Sequence, residues 1–148
     1  IVSAWRELAQ VRLVRVQYVH ISLLDTRGRA ALAAAASSTG RDRAGLLVDA
    51  RRCARRLRAA RASWSIPLGD AIDAGVAILD NDRSTALAHL ARCTAGFSSA
   101  QMALHAATAR LVVAALTGDT TSAARERDLS RDLGVRDVDR FSSLLLPR

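Results

Sequence analysis

His89 and Cys93 are four residues apart, so on a helix they share a face and could offer a nitrogen and a sulfur to a metal ion. A structural zinc needs two further ligands, and the short Cys-x-x-Cys pairing that supplies them is missing. Cys93 also has a counterpart 40 residues earlier, Cys53, which suits a small core residue. His20 and His105 lie in helical stretches with no partnered serine or cysteine at any motif spacing. Asp80, Asp82 and Asp119 resemble acid pairs, but they fall at helix starts, where a carboxylate caps free N–H groups. The chain has no lysine, no Gly-rich phosphate loop and no GxxxxGK[ST] nucleotide loop. It also lacks the catalytic-loop and metal-binding aspartate motifs of phosphoryl transfer. The residues therefore assign no catalytic, cofactor-binding or metal-binding position.

The strongest polar feature is a run of arginine. Arg41, Arg43, Arg51, Arg52, Arg55, Arg56, Arg58 and Arg61 sit locally against only Asp42 and Asp49, and supply six of the eight net positive charges. Two readings compete. In one, the arginines form a solvated helix face whose stems cover apolar neighbours. In the other, they grip an anionic partner, such as nucleic acid or a phosphorylated segment. Nucleic acid is disfavoured, since no aromatics interleave with the arginines. The candidate partner-binding residues are Arg51, Arg52, Arg55, Arg56, Arg58 and Trp64. Trp64 either anchors a partner or, the favoured reading, plugs the gap between two hairpins.

These residues must be placed by helices. DRAGLLVDARRCARRL at 42–57 is echoed by DRSTALAHLARCTAGF at 82–97, which sets Leu47 on Leu87, Cys53 on Cys93 and Leu57 on Phe97. A weaker third copy starts at Asp119. Self-similarity near 40 residues points to stacked helical hairpins, none of which can bury its apolar face alone. Apolar periodicity predicts helices over 3–37, 43–62, 68–79, 83–97, 100–117, 121–133 and 137–145. Gly28 is expected to kink the first, and Ser98-Ser99 to cap the fifth. Residues 63–66 are expected to form a turn, with Pro67 at a first helical position. Leu87, Leu90 and Phe97 are expected in the core, and the last helix carries Val138, Phe141, Leu144 and Leu145.

Composition agrees. With 148 residues, half of them apolar and 30 of them alanine, the chain suits one helical domain with a real core. All 22 basic residues are arginine, the habit of a GC-rich genome. No run approaches a membrane span, and two cysteines 40 apart make no disulfide framework, so a cytoplasmic setting is expected. The fold class is all-α: a right-handed, tetratricopeptide-like stack of antiparallel hairpins, an α-solenoid. About three hairpins and a short last helix would span 1–148. The helical start at Ile1 suggests a fragment of a longer protein.

RAALAAAA at 29–36, the Trp64–Pro67 turn, the segment 80–119 and the tail DLGVRDVDRFSSLLLPR at 132–148 occur in that order. Together they resemble the C-terminal repeat region of large bacterial serine/threonine protein kinases of the myxobacterial type. The resemblance implies a kinase domain and an ATPase module upstream, with ATP and magnesium bound there and no cofactor in this segment. It implies a non-catalytic scaffold whose partner is a protein, a peptide or the parent's own upstream domains, with no membrane. The alternative is the sensor arm of a large ATPase-type transcriptional regulator.

Overall fold

The computed structural model describes residues 17–146; the expected helix before residue 17 and the closing Pro147 lie outside them. Seven helices follow one another: α1 (Gln17–Ala36), α2 (Gly40–Ala59), α3 (Ser65–Leu79), α4 (Arg83–Ser99), α5 (Ala103–Thr117), α6 (Thr120–Asp132) and α7 (Val138–Leu145). Among the described residues there is no strand. Each of α1 to α6 packs on the next helix in the chain, and α1 also packs on α3. That pattern is compatible with a solenoid of helical hairpins. No described helix is long and apolar enough to cross a membrane.

The repeat has a structural counterpart in the turns. Helices α3 to α6 each end on a residue with positive φ: Asn81, Gln101, Gly118 and Gly134. In each case the next N–H bonds back to the carbonyl five residues earlier, as in Asp82 to Ala77 (2.9 Å) and Met102 to Phe97 (2.9 Å). Asp82, Asp119 and Asp137 then start the following helices by accepting from the backbone N–H groups of Thr85, Ser122 and Arg140. Gln101 departs from expectation. Helix α4 runs through both Ser98 and Ser99, and the reversal falls on Gln101 instead. The expected turn at 63–66 is also shorter, because α3 starts at Ser65; Pro67 still lies in the first turn, where no N–H partner is needed.

Gly28 does not kink α1, which is continuous. It marks a close approach: a Cβ there would collide with the Ile72 side chain of α3 and lie 3.2 Å from Cys53 Cβ of α2. Gly69 does the same for α3, where a Cβ would stand 2.7 Å from the Ala54 carbonyl oxygen. Around these contacts the equivalent pairs Ala50 and Leu90, Cys53 and Cys93, and Leu57 and Phe97 are all buried.

The far end of the chain returns to the beginning. Arg29 of α1 donates to the Leu144 carbonyl oxygen at 2.7 Å, and Leu146 joins the core cluster that holds Ile21 and Leu24. Leu144 is 60% exposed, and Leu146 lies inside. Leu87 is likewise only half-buried, with Ala86 inside in its place. Leu90→Ala should therefore cost about 2–5 kcal/mol, and Leu87→Ala nearer 1 kcal/mol, in urea unfolding. Equal losses at the two positions would show that the register of α4 is wrong.

Candidate functional site

The arginines of α2 find their acids on α3, outside the local window of sequence. Arg58 reaches Asp73 at 2.7 Å and Asp70 at 3.4 Å. Arg51 pairs with Asp80 at 2.7 Å; Arg43 reaches the same carboxylate at 3.5 Å and donates to the Leu79 carbonyl. On the other side of α2, Asp49 takes a two-pronged contact from Arg27 of α1, with both distances 2.8 Å. Three of the eight arginines of the run, Arg43, Arg51 and Arg58, are thus held by acids of the α3 segment.

Three of the six candidate residues come together. Arg51, Arg55 and Arg58 line a groove of about 570 Å³, walled by α2 and by the start of α4, with the C-terminal part of α3 between them. Asp73 and Asp80 lie on the α3 segment between the walls, and Asp82, Thr85 and His89 lie on the α4 side. Arg55 and Asp82 have no ion-pair partner among the described residues. Hydrogen bonds from Thr85 and Ser84 hold the Asp82 carboxyl below the usual range, so it stays ionised at neutral pH. Val48 adds an apolar side chain that is 53% exposed.

The other three candidates lie elsewhere. Arg52 faces solvent, and Arg56 stands 3.4 Å from the His20 ring nitrogen. Trp64 is half-buried against the main core and tilts against Tyr18, with ring centroids 5.5 Å apart.

The residues weighed as metal ligands are occupied in other ways. Cys93 is fully buried, its thiol hydrogen-bonds the Leu90 carbonyl, and burial with the nearby Asp70 pushes its pKa up to about 12. His89 lies between Asp70 and Arg92, at 3.4 Å and 2.6 Å. Among the described residues no three His, Cys, Asp or Glu side chains gather as a metal site would require. His105 tilts against Phe97, with ring centroids 5.2 Å apart, beside Arg29 and the buried Asp25. No known protein family matches the chain, and no curated protein or solved structure shows significant similarity to it.

Burial, and then Arg29, lower the His105 pKa below its ordinary 6.5. The unfolded chain therefore takes up this proton first as pH falls. The stability tied to neutral His105 is present above pH 6.5 and is lost as pH drops through that value. His105→Gln should flatten the fall in urea midpoint between about pH 7 and pH 5 relative to wild type. Parallel profiles for the two proteins would contradict this assignment.

Proposed function

We propose that the chain is a non-catalytic helical-repeat module that docks a protein segment in the groove between α2 and α4. The observation that carries this reading is the incomplete charge pairing of the groove. Arg51 and Arg58 are already held by acids, whereas Arg55 and Asp82 are ionised, exposed and without ion partners among the described residues. Asp82 caps α4 and still brings its charge to the groove wall, so with Arg55 and the half-exposed Val48 it leaves unmatched groups on one concave surface. A partner that brings matching groups gains specificity from them. Two repeat-equivalent helices form the walls, which is how stacked hairpins build extended binding surfaces.

The sequence resemblance supports a parent protein of the bacterial serine/threonine kinase type, acting in the cytoplasm. On that reading ATP and magnesium belong to other domains of the parent, and this segment recruits or positions what they act on. The resemblance lies in the order of the segments at 29–36, 64–67, 80–119 and 132–148.

A photo-crosslinking residue at position 48 tests the docking face. In the cells that make the protein it should yield a discrete protein adduct, reduced at least about fivefold by Arg55→Glu. The same label at the exposed position 125 of α6 should not yield that adduct. No adduct from position 48, or the same adduct from both positions, would overturn the reading.

A further inference from the structure

We propose that the occupant of this groove is an amphipathic helix of a protein partner, acidic along one edge and basic along the other. The inference rests on the docking reading above and deepens it.

The shape of the walls argues for a helix. Val48, Arg51, Arg55 and Arg58 follow one another at i, i+3, i+7 and i+10, a single stripe along α2. At 1.5 Å per residue that stripe is about 15 Å long, close to three helical turns. Asp82, Thr85 and His89 repeat the pattern at i, i+3 and i+7 along the opposite wall. Two rows of side chains at helical spacing, with α3 between them, leave a channel of the kind into which a third helix sets its own ridge. This is the helix-in-groove mode of recognition, in which the partner presents anchors at i, i+3, i+4 and i+7.

The charges decide the partner's chemistry. The α2 wall offers Arg55, and the α4 wall offers Asp82. A wholly acidic partner, or a nucleic acid, would satisfy Arg55 but bring negative charge against Asp82. A wholly basic one would satisfy Asp82 but bring positive charge against Arg55. Only a partner with carboxylates on one edge and ammonium or guanidinium groups on the other meets both walls. Val48 then meets the apolar stripe between those edges. The two fixed walls also exclude helices that carry a single charge sign, which is specificity by mismatch.

The test uses the full 148-residue chain and three labelled synthetic helices of roughly 18 residues, each with the same apolar stripe. One carries Glu on one edge and Lys on the other; the second carries Glu on both edges; the third carries Lys on both. By fluorescence anisotropy the mixed helix should bind at least about tenfold more tightly than either of the others. Arg55→Gln and Asp82→Asn, the latter chosen because Asn also caps a helix, should each weaken it by about three- to fivefold. Circular dichroism and thermal melting should show both variants folded. Three results overturn the inference: equal or tighter binding of the all-Glu helix, no binding of any helix, or binding of the mixed helix unchanged by both variants. If position 48 still crosslinks a protein when every peptide fails, the docking reading survives and the helix inference does not. If crosslinking fails as well, both fall.

Discussion

The contact on which the arrangement depends is the grip of Arg58 on the carboxylates of α3. Its guanidinium spans Asp73 at 2.7 Å and Asp70 at 3.4 Å, and both acids are largely buried. Asp70 also faces His89 and Arg92 of α4, so one carboxylate links three helices. Gly69, next in the chain, lets the α3 backbone approach Ala54 of α2 closely enough for the contact to form. Without such partners α2 would be a poor helix. Arg51 and Arg55, and Arg52 and Arg56, are like charges one turn apart, which destabilises an isolated helix. The acids of α3 convert that repulsion into a reason for α2 and α3 to pair.

The same neutralisation shapes the surface. Once Arg51 and Arg58 are held by Asp80 and Asp73, the groove between α2 and α4 carries balanced charge, not a strong positive field. What remains for a partner is a pair of opposite charges on opposite walls. That is a more selective surface than the composition, with its formal charge of +8, implies.

The order of helices was legible because apolar spacing and turn chemistry are local signals. Asp82 and Asp119 could be read as caps because each acts within one turn of its own position. Gln101 was not legible, since glutamine gives no turn signal and the reversal there is imposed by packing of α4 against α5. Gly28 reads as a kink in one dimension and proves to be a contact with Ile72, 44 residues later, in three. The fate of the arginines was hidden for the same reason. Their acids lie 12 to 37 residues away and join them only when α3 folds back on α2. The contact of Arg29 with the Leu144 carbonyl, 115 residues away, has no local sequence signal either.

The claim that ion pairing between α2 and α3 organises the fold is tested most directly by a double-mutant cycle. Arg58→Gln, Asp73→Asn and the double variant would be compared with wild type by urea unfolding at neutral pH. The account predicts a coupling energy of about 1 kcal/mol, the double variant losing clearly less than the sum of the single losses. Additive losses, with a coupling below about 0.3 kcal/mol, would show that this contact does not hold the helices together.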